Sequence, residues 1–278
     1  MLFLYATDLH GDQEKYKKIL SYALDHQIKI IHLGADILPD VQTTFVKKFL
    51  REFYQKAKDN EIKILASFGN DDLVSMKKEF RRYGSLLDEE PVEIEGFLFK
   101  AYPYVCDYPF PLKSICKLDY RGWMRPFCLD GVNYTENGMR VEILDIDKYL
   151  AKKSTIQEDL AKEIVLHKNF IFSCHMPPRN LELDVCGRRI HTGYDRLERV
   201  GSVSIYNWIK EQQPLLSLHG HIHENYAITK QWKVILGKTL VVQPGQPFLT
   251  IYDKEAKTRF VKFELENEHV VDATLIEI

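Results

Sequence analysis

The first part of the chain alternates between apolar runs and amphipathic stretches. Three apolar runs are short enough to be buried strands: residues 1–7, 28–34 and 61–69. Three longer stretches repeat apolar side chains at the spacing of a helix: residues 12–26, 43–59 and 71–84. Asp12 is a suitable N-cap for the first of these helices. Strands that alternate with helices in this way predict an α/β fold with a mostly parallel sheet.

The second half of the chain continues this pattern and then changes. Strands are predicted at 167–174 and 214–220, with helices within 154–167 and at 203–213. Beyond residue 223, four short strands are separated by turns, at 232–237, 238–246, 247–253 and 259–266. This run is typical of an antiparallel second sheet. The C-terminal residues 270–278 are either an extra strand or a contact for another subunit.

Residues 102–138 interrupt the pattern with many aromatic side chains, several prolines and little periodicity. Disordered linkers are poor in aromatic residues, so we expect an ordered, irregular insertion or cap within a single domain spanning 1–278. The aromatic side chains near Tyr104, Tyr108, Phe110 and Trp123 either pack onto the scaffold or line a pocket for a base or another ring.

The amino-acid composition predicts a globular protein and gives no sign of a membrane span or of binding to nucleic acid. The 278 residues are 45% hydrophobic and 28% charged, as in ordinary globular proteins, and the net charge of −2 creates no field that would attract nucleic acid or an anionic membrane. The start of the chain lacks the basic region of a signal peptide, and no apolar run approaches the roughly 20 residues of a membrane span. Five irregularly spaced cysteines favour reduced thiols, and hence a cytoplasmic protein.

Polar residues with metal-binding side chains follow each of five predicted strands. They are Asp8 and His10, Asp36, Asn70 with Asp71, His175, and His221 with His223. Each residue alone has an ordinary explanation as a cap, turn or loop residue, but together they predict convergence at the carboxyl edge of one sheet. Mixed oxygen and imidazole ligands suit manganese, iron, zinc or nickel. Because these ligands exceed what one ion normally takes, we expect a two-metal site of the kind used to hydrolyse phosphate esters.

The ordered motifs D-x-H, G-x-D, GN-x-D, an isolated histidine and GHxH resemble the calcineurin-like metallophosphoesterase superfamily. The resemblance spans residues 8–223, and the segment 238–247 is similar to the one that follows GHxH in that family. Residues 201–224 are similar to a prokaryotic-type branch of small phosphoesterases. The resemblance implies a four-layer α/β sandwich, in which two mixed β-sheets are flanked by helices and the metals lie at the carboxyl ends of the strands.

The resemblance also implies how two divalent cations are held, with manganese expected first. The first cation would take Asp8, His10 and His223, the second would take Asn70, His175 and His221, and Asp36 would bridge both. A hydroxide between the cations would attack a small-molecule phosphoester in line. His219 lies outside the family motif, and we expect it in the core or behind the ligands.

Two positions depart from the family motifs. The usual GD motif appears here as Gly34-Ala35-Asp36, either a small insertion or a Gly-to-Ala change, which we expect the fold to absorb. Asp71 stands where the family has a histidine that acts on the leaving group; two nearby cations would keep Asp71 ionised, without a proton to donate. We therefore expect activated esters, and diesters ahead of monoesters, to be the better substrates. Asp72 either orients a neighbour or caps the following helix.

The candidate catalytic residues are Asp36, Asn70, Asp71 and His191, the last as a substitute acid. The candidate phosphate-binding residues are Arg179, Arg188 and Arg189, because arginine matches phosphate geometry. The competing hypothesis is a binding or scaffold protein that kept the fold and lost the chemistry. All seven proposed ligands are present, which favours the enzyme. Nucleic-acid processing is a weaker alternative, since the chain has no basic stripe.

Overall fold

The structure is a computed structural model that describes residues 1–38, 44–88, 90–128, 130–165, 167–189, 195–247 and 257–278. Its strands are β1 Leu2–Ala6, β2 Ile30–Gly34, β3 Lys63–Ser67, β4 Ser85–Leu86, β5 Val92–Ile94, β6 Phe97–Tyr102, β7 Val105–Cys106, β8 Cys116–Lys117, β9 Gly131–Tyr134, β10 Arg140–Ile143, β11 Phe170–Cys174, β12 Val185–Arg189, β13 Asp195–Arg199, β14 Leu216–Leu218, β15 Lys233–Leu236, β16 Thr239–Val242, β17 Arg259–Glu266 and β18 His269–Glu277. Its helices are α1 Gln13–Asp25, α2 Thr44–Asp59, α3 Lys77–Tyr83, α4 Ile146–Ala151, α5 Ile156–Leu160, α6 Val203–Gln212 and α7 Asn225–Thr229, with a 3₁₀ turn at Val74–Met76.

Two large sheets organise the described residues. The first has the order β18-β17-β1-β2-β3-β4, and the second has the order β15-β16-β14-β11-β6-β5. In the first sheet β1 to β4 run parallel, β17 pairs antiparallel with β1, and β18 pairs antiparallel with β17. In the second sheet β6, β11, β14 and β16 run parallel, and both edge strands are antiparallel. Two mixed sheets flanked by helices confirm the predicted α/β sandwich.

The core lies in three layers because the strands are apolar on both faces. Alternate side chains of the two sheets, such as Phe3, Leu65 and Ile171, are buried in one cluster between the sheets. The opposite face of the first sheet is covered by α1, α2 and α3 through residues such as Ile19, and α6 covers the second sheet through Trp208. Asp12 caps α1 as predicted, since its side chain accepts hydrogen bonds from two backbone amides.

Two expectations about strand partners are wrong. The five strands that end in candidate ligands do not share one sheet: β1, β2 and β3 belong to the first sheet, whereas β11 and β14 belong to the second. The C-terminal strands do not form a separate antiparallel sheet either. The β15–β16 hairpin extends the second sheet, and β17 with the extra strand β18 extends the first. The periodicity of apolar residues indicates which positions are buried, but it does not indicate which strands pair with each other. The predicted strand at 247–253 lies almost wholly outside the described residues.

The aromatic insertion at 102–138 is built from short paired strands. β7 pairs with β8, and β9 pairs with β10 in a hairpin that extends the irregular region to Ile143. Tyr104 and Trp123 are partly buried against the core clusters, as the packing alternative expected. Within the described residues, no helix combines the length and the apolar character that a membrane span needs.

Candidate metal centre

The loops that follow β1 and β2 are joined through their backbones. The amide of Asp8 donates to the carbonyl of Ala35 at 2.9 Å, and the amide of His10 donates to the carbonyl of Asp36 at 2.9 Å. Asp8, His10 and Asp36 have positive φ angles of 56°, 45° and 45°, which are uncommon for residues other than glycine and occur often at functional sites. Ala35 absorbs the inserted position with a φ of 101°.

Gly69 of the GN motif and Gly220 of the GH motif allow the loops after β3 and β14 to approach the buried carboxylates of Asp36 and Asp8. A Cβ on Gly69 would lie 2.2 Å from Asp36 Oδ1, and a Cβ on Gly220 would lie 2.5 Å from Asp8 Oδ2. No real Cβ atom tolerates such distances. The glycines of the GN and GH motifs are therefore required by close packing against the acids.

The candidate ligands form two groups, in each of which the ligand atoms lie within 4.8 Å of one another. The first group contains Asp8, His10 and His223. His10 Nε2 lies 3.0 Å from His223 Nε2, and His223 Nε2 lies 3.3 Å from Asp8 Oδ1. These spacings are those of neighbouring ligand atoms around one cation with bonds of about 2.1 Å.

The second group contains Asp36, His175 and His221. His175 Nε2 lies 2.8 Å from Asp36 Oδ2, and the His175 and His221 rings are 5.0 Å apart. The other oxygen of Asp36, Oδ1, accepts a hydrogen bond from the amide of Asp71 at 2.8 Å. A further group of His10, Asp36 and Asp71 overlaps with both, so Asp36 lies between the two principal groups.

Two buried oxygen atoms point to cations at this place. Asp8 Oδ2 and Asn70 Oδ1 are buried without a hydrogen-bond partner among the described residues. A buried acceptor without a partner costs free energy, and two divalent cations, one beside each oxygen, would satisfy these atoms. The side chains therefore fit divalent cations in number, chemistry and spacing.

Most of these side chains have pKa values that favour the unprotonated form, which is the form that binds metal. Burial opposes the ionisation of Asp8, but the hydrogen bond and charge of His223 lower its pKa below the usual range. Burial lowers the pKa of His221 to about 3, so this ring is neutral at pH 7. Burial would also lower the pKa of His175, yet the charge of Asp36 raises it to about 9. A cation would have to displace that proton.

Asp71 lies beside His10 and Asp36 at the partly exposed edge of the candidate centre. Its side chain is 38% exposed, its Oδ1 accepts from Asn70 Nδ2 at 2.8 Å, and its Oδ2 lies 3.6 Å from His10 Nδ1. Without cations, burial and the charge of Asp36 raise the pKa of Asp71 to about 6. Bound cations act in the opposite direction, because they favour the ionised carboxylate.

Residues behind the ligands hold the loops in place. Asp72 accepts hydrogen bonds from the amides of Ile37, Leu38 and Gly69 at 2.8–3.0 Å, so it orients neighbouring loops and does not cap the following helix. His219 is buried, and its Nδ1 lies 2.9 Å from the carbonyls on both sides of His175.

Sequence reasoning missed Gln243, whose side chain donates to the carbonyls of Gly220 and Ile222 at 3.2 and 2.7 Å. Gln243 therefore fixes the turn that carries His221 and His223. Its position within the segment 238–247, which resembles the family, was the one available signal.

Of the candidate substrate-binding residues, Arg179 is the one whose side chain the structure describes. Arg179 follows His175 and donates its backbone amide to Ser202 at 3.0 Å, but no side-chain contact joins it to a candidate ligand among the described residues. Arg188 and Arg189 belong to β12 by their backbone, and their side chains lie outside the described part of the structure. His191 also lies outside the described residues.

Comparison with known proteins identifies the class to which this fold and site belong. The chain belongs to the calcineurin-like phosphoesterase family, whose model matches residues 1–225. Among solved structures it is similar to the protein TT1561 of Thermus thermophilus, with 15% identity, a TM-score of 0.56 and coverage of 99% of this chain and 98% of that one. It is also similar to a dimetal phosphatase from Danio rerio, with 10% identity, a TM-score of 0.53 and coverage of 100% and 98%.

At these identities the two likenesses establish the fold alone. Comparison with the curated proteins found no matching relative. Family membership carries with it a general activity, the metal-dependent hydrolysis of phosphate esters.

Proposed function

We propose that the protein is a phosphodiesterase that uses two divalent cations. The observation that carries this proposal is the convergence of six of the seven candidate ligands, with Asp71, from five strand ends. Two buried oxygen atoms that lack a partner among the described residues, one of them on Asn70, add to it. In this proposal Asp8, His10 and His223 hold one cation, Asn70, His175 and His221 hold the other, and Asp36 bridges them. When bound, the two cations would lower the pKa of an attacking water and stabilise the charge on the phosphate in an in-line reaction.

The protein's own groups would position and restrain this chemistry. The amide of Asp71 holds Asp36 Oδ1 at 2.8 Å, and in the metal-free protein His175 Nε2 lies 2.8 Å from Asp36 Oδ2, so the carboxylate is already placed beside a candidate ligand of the second cation. The side-chain nitrogen of Asn70 donates to Asp71, which fixes the amide and leaves Asn70 Oδ1 available to a cation. Asp71, ionised beside the cations, gives no proton to the leaving group. Diesters with good leaving groups are therefore preferred.

Three finer assignments belong to the same proposal. Manganese is the expected cation, because carboxylate, amide and imidazole ligands together suit it. The cytoplasm is the expected location, on the odd number and irregular spacing of the cysteines. Residues 1–278 are expected to act as one catalytic domain on a small-molecule ester.

Paired chromogenic substrates test the activity. Bis-p-nitrophenyl phosphate and p-nitrophenyl phosphate are compared with each divalent metal, in the wild type, in His175→Ala and in the control His269→Ala. His269 is an exposed histidine on the edge strand β18. We expect manganese-dependent turnover of the diester that falls by at least about 100-fold in His175→Ala and stays unchanged in His269→Ala. No turnover with any metal, although two ions bind per chain, would favour the scaffold hypothesis.

Metal content tests the bridging role independently of activity. Asp36→Ala is expected to lose both ions together, because Asp36 lies between the two groups of ligands. His175→Ala is expected to lose mainly one of the two ions. Elemental analysis after gel filtration measures both. One ion bound at full occupancy in Asp36→Ala would contradict the bridging role.

A further inference from the structure

A row of aromatic rings leads outward from the candidate metal centre. The ring of Tyr108 lies edge-on to the ring of His221, with centroids 5.8 Å apart. The ring of Phe110 follows, with its centroid 5.7 Å from that of Tyr108. Two ring contacts therefore connect a candidate metal ligand to an aromatic side chain at the surface.

The inner ring of this row is held rigidly. Tyr108 is 7% exposed, and its hydroxyl donates to the carbonyl of Leu112 at 2.6 Å. Lys113 lies 4.9 Å from the centre of the Tyr108 ring, donates to the Tyr108 carbonyl and pairs with Asp107 at 2.7 Å; both charged side chains are fully buried. A fixed ring binds a ligand without losing much conformational entropy, so this part of the insertion is preorganised.

The outer ring is open to solvent. Phe110 is 65% exposed although it contacts the buried ring of Tyr108. A flat ring of a ligand that stacked on Phe110 would remove this apolar surface from water. The same insertion also contacts the segment after Asp72, through the turn between β9 and β10. A Cβ built on Gly138 would lie 3.7 Å from Ser75. The aromatic row therefore begins at a candidate metal ligand and ends at an exposed ring.

We propose that Phe110, positioned by the buried ring of Tyr108, binds a flat aromatic group of the phosphoester, on the ester arm that lies toward His221. The inference rests on the proposed function, because the phosphate itself would be held by the metal centre. It deepens that function by naming the substrate class: a phosphoester with an aryl or heteroaromatic arm, in preference to one with only small alkyl arms.

Binding of two phosphonates tests the inference without turnover. Phenylphosphonate and methylphosphonate share the metal-binding head and differ in the ring, and calorimetry measures their affinity for the manganese-loaded protein. We expect the wild type to bind phenylphosphonate about tenfold more tightly. Phe110→Ala is expected to abolish most of that preference while the affinity for methylphosphonate stays the same. Phe110→Tyr, which keeps a ring, is expected to retain the preference.

Phe127→Ala is the matched control. Phe127 belongs to the same insertion and is 79% exposed, and no ring contact joins it to Tyr108 or His221 among the described residues. Equal affinity of the two phosphonates in the wild type, or an unchanged preference in Phe110→Ala, would overturn the inference. Failure of the manganese-loaded protein to bind either phosphonate would instead overturn the proposed function, and the inference with it.

Discussion

At the scale of single residues, the space between Gly69 and Asp36 is too small to hold a side chain on residue 69. A Cβ on Gly69 would lie 2.2 Å from Asp36 Oδ1 and 2.8 Å from its backbone nitrogen, so a rotation of the side chain cannot relieve the clash. We predict that Gly69→Ala displaces Asp36 and lowers the affinity for both cations by at least about tenfold, a cost typical of disturbing the support of a metal ligand. Calorimetric titration with manganese measures the loss.

Gly96→Ala provides the control for this prediction. Gly96 has a φ of +79°, and nothing lies within 4 Å of its missing Cβ. The substitution is expected to cost about 1 kcal/mol of unfolding free energy through backbone strain and to leave metal affinity unchanged. Equal metal affinity in Gly69→Ala and the wild type would show that Asp36 does not need its present position.

Asp71 yields a second prediction at this scale. Its replacement by histidine, Asp71→His, introduces a group that can donate a proton near pH 7, and general acid catalysis is worth about 10²–10⁴-fold. We expect Asp71→His to speed the hydrolysis of aryl diesters with poor leaving groups and to leave activated esters little changed. The measurement is the dependence of rate on leaving-group pKa across a series of substituted phenyl esters.

Asp71→Asn is the matched variant for this series, because asparagine keeps the shape of the side chain and has no acidic proton. We expect it to retain the steep dependence on leaving group of the wild type. A wild type that already shows a shallow dependence would mean that another group, such as His191, supplies the acid.

The sequence was sufficient to predict the candidate ligands because each one directly follows a recognisable strand. Position alone left each of Asp8, Asp36 and His175 an ordinary explanation as a cap or loop residue, and the family motifs were needed to propose them as ligands. Gln243 and Tyr108 could not be assigned in this way, because both act through distant contacts. Gln243 reaches the carbonyls of a turn more than 20 residues away, and Tyr108 meets a histidine from another part of the chain.

At the scale of elements, Asp119 joins the aromatic insertion to α6. Its carboxylate accepts from the hydroxyl of Ser202 at 2.6 Å and from the amides of Val203 and Ser204 at 2.9 and 3.3 Å. Asp119→Ala leaves these buried donors without their acceptor. We predict a loss of about 2–4 kcal/mol in the free energy of unfolding, measured by urea denaturation.

Asp145→Ala is the comparison for this loss. Asp145 also caps a helix, α4, but it accepts a single hydrogen bond, from the amide of Lys148 at 2.9 Å, at an exposed site. Its removal should cost about 1 kcal/mol. Equal losses in the two variants would mean that Asp119 is an ordinary cap and does not anchor the insertion.

The positions of the strands were predicted with more success than the pairing of the strands within the sheets. The repeats of apolar residues located β1, β2, β3, β11 and β14 because burial on both faces leaves a continuous apolar run. They carried no information on which strands pair, since pairing depends on contacts between distant segments. The helix expected within 154–167 is shorter in the structure, where α5 has five residues. Its buried residues Ile156 and Leu160 pack against segments distant in the chain, which periodicity alone does not report.

At the scale of the whole molecule, the candidate centre joins the two sheets. Its carboxylates follow strands of the first sheet and three of its histidines follow strands of the second. Tyr5 of β1 donates to the carbonyl of His219 at 3.0 Å, and Asp8 accepts from the amide of His221 at 3.0 Å, so protein contacts cross the same boundary. Cations bound here would hold the sheets together, and any cation that binds the folded state alone stabilises it.

This arrangement makes the effect of metal on stability depend on pH. In the metal-free protein the charge of Asp36 raises the pKa of His175 from 6.5 to about 9, although burial alone would lower it. The pair contributes stability fully below pH 6.5, and the contribution is lost as the pH rises through about 9. Cations compete with that proton and bind more tightly as it leaves. Manganese should therefore raise the melting temperature more at pH 8.5 than at pH 6.

Melting curves with EDTA and with excess manganese, recorded across this range, measure the difference directly. His175→Ala removes the titrating group and should flatten the pH dependence of the metal-free protein between about pH 7 and 9. A metal-induced rise in melting temperature that is the same at every pH would mean that no proton is released when the cations bind. In that case His175 would not be the residue whose proton the second cation displaces.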